Sequence, residues 1–121
     1  MDLDWTLDKN RPICPQLCEM ICARIAIGEF APDQRLLSVR EVAVNAGVNP
    51  NTVQRAFEQL ESQGILRSER GAGWFVTHDT QAATVLRQNM AQEKVAGFFS
   101  EMLGLGLTPE NIKEIVKEWK A

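Results

Sequence analysis

Two short, well-capped helices joined by a glycine turn, a glycine-tipped pair of β-prone runs directly after them, and two apolar-faced helices near the C-terminus predict a mainly α fold with a small β wing. The expected architecture is a winged helix-turn-helix domain over residues 1–78, with an N-terminal arm, followed by a two-helix dimerisation element over residues 79–121. A chain of 121 residues suits one compact domain with a small appendage. The 45% of hydrophobic residues can supply a core, and a charged fraction of 24% is ordinary for a folded chain.

Residues 3–7 alternate Leu3, Trp5 and Leu7 with Asp4 and Thr6, the period-two pattern of a short strand or an extended arm. Ile13, Leu17, Ile21 and Ile25 then recur every four residues and form one helix face, with Pro12 before the helix and Gly28 closing it. Pro32-Asp33 reads as a turn. Ser38 with Glu41 three residues on is a capping box: the serine oxygen accepts an orphan N–H, and the carboxylate reaches back to the serine N–H. Val39, Val42, Ala43 and Ala46 give this second helix its inner face, and Gly47 ends it.

The third helix starts at once. Asn49 is its N-cap, and Pro50 occupies the first helical position, where a missing N–H costs nothing. Val48 and Val53 are spaced for a hydrophobic staple, and Val53, Ala56, Phe57 and Leu60 follow the i, i+3, i+4, i+7 rule up to Gly64. Ile65–Ser68 and Trp74–Thr77 are β-prone runs around Glu69-Arg70-Gly71-Ala72-Gly73, which makes a hairpin. Residues 81–103 are rich in helix formers and carry Leu86, Met90, Phe98, Phe99, Met102 and Leu103. Gly104 and Gly106 interrupt, and Thr108-Pro109-Glu110 starts a last helix with Ile112, Ile115, Val116 and Trp119 on one face.

Helix, glycine turn, helix and hairpin in that order is the arrangement of a DNA reader, with the third helix in the major groove. Its non-core face carries Asn51, Thr52, Gln54, Arg55 and Gln59, after Asn49 at its start. Asparagine and glutamine amides match adenine edges, and arginine matches guanine. Arg40 on the preceding helix is expected to grip the backbone, and Arg67 and Arg70, with Gly71 and Gly73 at the wing tip, to reach adjacent phosphates or the minor groove. A net charge of −3 and Glu58 on the polar face weigh against bulk attraction to phosphate, so binding would rest on the placement of a few cations. A winged helix used as a protein–protein module is the alternative; it would not need Arg40, Thr52 and Arg70 together, so charge removal at the arginines separates the two.

Two short helices cannot by themselves bury Phe98, Phe99, Met102, Ile115 and Trp119. They are expected to pair with the same element of a second chain, giving a homodimer on a near-palindromic operator; folding back onto their own winged helix is the other arrangement. Cys14, Cys18 and Cys22 lie i, i+4, i+8 on the first helix and read as small buried hydrophobes, with a soft-metal or oxidant-sensing role as the competing reading. His78 reads as a surface residue, and Trp5, Trp74 and Trp119 as packing residues. No nucleophile–base set, zinc-hydrolase pair or phosphate-binding glycine loop is present, so an enzyme is not expected, nor a cofactor. No apolar run approaches the roughly 20 residues of a membrane helix, and the acidic Met1–Trp5 start has no signal-peptide pattern, so no membrane partner and a cytoplasmic location are expected.

Several stretches resemble the GntR family of bacterial regulators: Pro12-Ile13, Gln16-Leu17, Ile25-Ala26-Ile27-Gly28-Glu29, Arg35-Leu36 and Ser38-Val39-Arg40-Glu41. Val48-Asn49-Pro50-Asn51-Thr52-Val53-Gln54-Arg55-Ala56-Phe57, Leu60-Glu61, Gly64-Ile65 and Arg70-Gly71-Ala72-Gly73-Trp74-Phe75-Val76 are similar to its YtrA-like subfamily. The resemblance covers about residues 10–78, and the C-terminal pair matches by length and pattern. It implies effector-tuned repression or activation of a nearby operon, often one for an ABC transporter, with any small-molecule pocket small or at the dimer interface. It also implies DNA contacts at Arg40, Asn51, Thr52 and Gly71. The chain departs from the family pattern at Pro50 and Gln54, where arginine is common, at Leu37 in place of a proline, and at Asp33 in place of a turn glycine.

Overall fold

A computed structural model describes residues 5–121, so the expectations for Leu3, Asp4 and the acidic first residues lie outside the described part of the chain. The fold is mainly helical with one small sheet. Three helices, α1 (Ile13–Ala26), α2 (Val39–Ala46) and α3 (Pro50–Ser62), precede a hairpin of β1 (Leu66–Glu69) and β2 (Gly73–Val76); α4 (Ala82–Gly104) and α5 (Pro109–Glu118) follow. The chain forms two compact units, one ending at Arg87 and one beginning at Gln88.

In the first unit α1 and α2 both pack on α3. Leu17, Ile21 and Ile25 of α1, Val42 and Ala43 of α2, and Val53, Ala56, Phe57 and Leu60 of α3 meet Leu66 and Val76 of the hairpin in one core. The apolar periodicities of the three helices therefore converge on a shared centre. Trp5–Asp8 form no strand; they are an extended arm from which Trp5 and Leu7 pack half-buried against that core. Gln16, buried in α1, fastens the arm: its Nε2 donates to the carbonyls of Asp8, Arg11 and Pro12 at 2.9, 3.2 and 3.0 Å, and its Oε1 accepts from the Asp8 N–H at 2.8 Å. Both polar atoms of the buried amide are thus hydrogen-bonded to backbone. At the other end of the unit, Ala83 and Leu86 of α4 pack on the core, and Arg87 Nη1 donates to the Ala26 carbonyl at the end of α1 at 3.0 Å.

The hairpin is antiparallel, with Leu66 opposite Val76, Arg67 opposite Phe75, Ser68 opposite Trp74 and Glu69 opposite Gly73. A third segment lies beside β2. Arg35 bridges Phe75, the Leu36 N–H donates to the Trp74 carbonyl at 2.8 Å, and the Val76 N–H donates to the Gln34 carbonyl at 2.9 Å. The sequence offered only a turn here, because a segment this short has no periodicity of its own.

Asp33, at the position where a turn glycine is usual, has φ +66. Its carboxylate accepts from Arg67 Nη2 at 2.9 Å and lies against His78 Nδ1. Arg67 also pairs with Glu69 and stacks over the Phe75 ring at 4.8 Å. Aspartate is among the few side chains that tolerate the left-handed region, and here ion pairing adds to that tolerance. Arg67 is therefore held at the base of the wing, and the expectation that it reaches phosphate is corrected: its guanidinium already has two carboxylate partners.

The second unit holds the remainder of α4 and the whole of α5. Thr108 caps α5, its Oγ1 accepting from the Asn111 N–H at 3.1 Å while Asn111 Oδ1 accepts from the Thr108 N–H at 3.2 Å. Ile112 is fully buried, and Phe98 and Phe99 meet edge to face at 5.9 Å. Phe98, Met102, Ile115, Val116 and Trp119 line an apolar hollow of about 320 Å³, and Trp119 is 73% exposed. Among the described residues no helix is long and apolar enough to cross a membrane.

Candidate nucleic-acid interface

The turn between α2 and α3 is built from its caps. Ser38 Oγ accepts from the Glu41 N–H and Glu41 Oε1 accepts from the Ser38 N–H, both at 3.1 Å, so the capping box fixes the entry to α2. The Ser38 hydrogen bonds hold the Glu41 carboxyl below its ordinary range, and the nearby Arg35 charge acts in the same direction. Gly47 ends α2 with φ +68, a conformation that favours glycine, and the Val48 N–H closes the motif on the Ala43 carbonyl at 3.0 Å. Asn49 Oδ1 then accepts from the Asn51 N–H at 2.8 Å, and Pro50 opens α3. Lys9 on the arm donates to the Gly47 carbonyl at 3.1 Å.

α3 turns Val53, Ala56, Phe57 and Leu60 inward and leaves Asn51, Arg55, Glu58 and Gln59 exposed, with Thr52 and Gln54 half-buried beside them. Three side-chain amides here are engaged: the Asn49 oxygen in the helix cap, Gln54 Nε2 on Glu58 Oε1 at 3.0 Å, and Gln59 Oε1, which accepts from Cys14 Sγ at 3.7 Å. Thr52, Arg55 and Gln59 share a groove of about 420 Å³ with Pro12, Ile13 and Cys14 at the start of α1.

The wing stands against this helix. Trp74 meets Phe57 edge to face, at 5.4 Å between ring centres and 73° between planes, so β2 is buttressed on the inner face of α3. The tip turns through Gly71 at φ +78 and Gly73 at φ +110, and the Ala72 N–H donates to the Glu69 carbonyl at 3.0 Å.

The arginines divide in an informative way. Arg11 pairs with Asp8, Arg24 with Glu29 and Arg67 with Asp33 and Glu69, while Arg87 is on a backbone carbonyl. Among the described residues Arg35, Arg40, Arg55 and Arg70 have neither an acidic partner within ion-pair distance nor a hydrogen-bond acceptor. All four are exposed, on the segment leading into α2, on α2, on α3 and on the wing tip. Sequence reasoning singled out three of them and passed over Arg35, as it did Lys9. Neither carries a local signal, because each is defined by contacts with distant backbone.

The three cysteines are free thiols. Burial, reinforced by Cys14 and Cys22, pushes the Cys18 thiol up to about 12, and burial followed by the Glu19 charge pushes Cys22 up to about 11. Thiols held protonated are poor metal ligands and poor nucleophiles. Among the described residues no group of three or more His, Cys, Asp or Glu side chains is placed to hold a metal ion.

Residues 15–76, from the first turn of α1 to the end of β2, match the sequence profile of the gntR family of bacterial regulatory proteins. The chain belongs to the GntR family. It is 35% identical over 115 residues, 95% of each chain, to the HTH-type transcriptional regulator YhcF of Bacillus subtilis, and 30% identical to the repressor YtrA of the same organism over 93% of this chain and 87% of YtrA. Among solved structures, a GntR family transcriptional regulator from Listeria monocytogenes aligns with a TM-score of 0.83 at 36% identity, over 94% of this chain and all of that one. The DNA-binding domain of AraR in complex with its operator ORE1 aligns with a TM-score of 0.54 at 34% identity, over 60% of this chain and 90% of that one. The GntR relatives are transcriptional regulators, not enzymes.

Proposed function

We propose that this GntR chain is a sequence-specific, effector-tuned transcription repressor of the YtrA-like type that acts in the cytoplasm as a homodimer on a near-palindromic operator. The observation that carries this reading is the polar outer face of α3, set between unpaired Arg40 on α2 and unpaired Arg70 on the wing. AraR, whose DNA-binding domain is bound to an operator, supports the DNA partner through its alignment with the first unit's fold. YhcF is more similar to the chain than YtrA is, and the subfamily reading rests on the residues around Asn49–Phe57 together with the YtrA match.

In this reading Asn51, Thr52 and Arg55 meet base edges in the major groove, and Gln54 joins them by leaving Glu58. Asn49 holds the start of α3 in place, and its free amide N–H₂ faces the adjoining phosphate. Arg40 grips the backbone on one flank, and Arg70, with the tight turn at Gly71 and Gly73, on the other. Phe98, Phe99, Met102, Ile115 and Trp119 pair with the same face of a second chain, which removes the exposed apolar surface from water and sets two reading units on two half-sites.

Selection of bound fragments from the source genome at about 150 mM salt, followed by anisotropy titration of the winners, tests the proposal. A recurring near-palindrome bound at least about a thousandfold more tightly than random duplex is expected. No enrichment, with Arg40→Ala and Thr52→Ala indistinguishable from wild type, would refute it and assign the winged helix to a protein partner.

A further inference from the structure

The one unpaired arginine without a role in the reading above is Arg35. Its backbone is fixed on the wing side: it bridges Phe75, and the flanking Gln34 and Leu36 exchange hydrogen bonds with Val76 and Trp74. Its side chain is exposed and runs across the wing at Gly73, where a Cβ would lie 3.4 Å from its Nε and 3.7 Å from its Nη2. A Cβ there would be in ordinary van der Waals contact with the guanidinium, so the Arg35 side chain packs against the wing at Gly73, which itself turns at φ +110. On its other side, Gln34, Arg35, Leu36, Leu37 and Glu41 line a shallow hollow of about 380 Å³ beside the start of α2, the helix that carries Arg40.

Three features bear on what this guanidinium does. Glu41, a carboxylate near enough to feel its charge, is already bound to the Ser38 hydroxyl and backbone, so Arg35 is not needed to satisfy it. It stands between the wing tip and the approach to α2, the two elements assigned above to the DNA backbone on either side of α3. A residue whose backbone is tied on both flanks loses less backbone freedom on contact than one at a loop tip.

We infer that Arg35, seated against Gly73, is a further phosphate-binding residue that joins the wing's contact to that of α2 along the DNA backbone. This rests on the reading of the chain as a DNA-binding regulator and extends its interface by one cation. A phosphate contact carries no base information, so Arg35 would add affinity equally to operator and random duplex.

The test uses the full-length protein and the duplex it selects from genomic fragments, with binding measured from about 50 to 200 mM salt. Arg35→Ala should weaken binding about tenfold, lower the slope of log K against log salt by about one unit, and leave the ratio of selected to random duplex unchanged. Arg35→Lys should restore the slope, because a point charge at the same place still releases a counterion. If Arg35→Ala keeps wild-type affinity and salt slope while Arg40→Ala loses both, the inference is wrong and the parent reading stands. If Arg35→Ala lowers the unfolding temperature but not the salt slope, Arg35 is structural and the inference is again wrong. A wild-type protein that selects no duplex overturns both.

Discussion

In the unit that ends at Arg87, Leu17, Val42, Val53 and Ala56 have no exposed surface, and three helices and a hairpin close around them. In the unit that begins at Gln88, Ile112 is the one residue so enclosed, while Phe98, Ile115, Val116 and Trp119 stand partly or largely in the open. Each unit has at least one side-chain-capped helix with an apolar face of helical period, α2 and α3 in the first and α5 in the second. What differs is the number of elements available to cover those faces. Two helices offer each other one stripe apiece, and any apolar row beyond it stays uncovered. Good local signals thus make helices in both units but make a closed core in only one.

The largest effect should come from opening the closed core. Phe57 is 1% exposed and also supports Trp74 of the wing, so Phe57→Ala should cost about 3–5 kcal/mol of unfolding free energy in a urea titration. A loss below about 1 kcal/mol would mean that this core is no better closed than the helix pair. Trp119→Glu should do the reverse. It should leave the urea midpoint of the first unit within error and convert a dimer to a monomer in light scattering at micromolar concentration, with at least about a hundredfold weaker association. A wild-type mass of one chain under the same conditions would leave the exposed face without its proposed partner.

The smallest effect concerns the strained turn. Arg67, and then the charge of His78, hold the Asp33 carboxyl below its ordinary value. A depressed carboxyl stabilises the fold above the unfolded value, near 3.8, and that contribution is lost as pH falls through the lower folded value. Asparagine tolerates the same φ, so Asp33→Asn should melt slightly below wild type at pH 7 and converge with it below about pH 3. Curves that stay parallel down to that pH would show that Arg67 gains nothing from Asp33.

Most of the first unit was legible because its signals are local. Ser38 and Glu41 are three residues apart, Asn49 and Pro50 adjoin, and Gly47 is needed where the chain turns left-handed. What escaped was non-local: Arg67 meets Asp33 across 34 positions, Gln16 fastens an arm eight residues back, and Arg35 becomes interesting through Gly73. Composition cannot tell a neutralised arginine from a free one. The polar face of α3 and its Asn49 cap were read from the sequence, but the engagement of Gln54 by Glu58 needed coordinates.

The two faces of α3 also bear on how such a protein changes over generations. Val53, Ala56, Phe57 and Leu60 answer to the core, whereas the exposed side chains of Asn51 and Arg55 make no hydrogen bond within the described fold. Substitutions of those two side chains break no internal hydrogen bond, so their stability effects are expected to stay within about 0.5 kcal/mol. A lineage carrying this helix can therefore move through many binding preferences by single steps, each one folded, and duplicated copies can part company on their target sequences before anything in their interiors has changed.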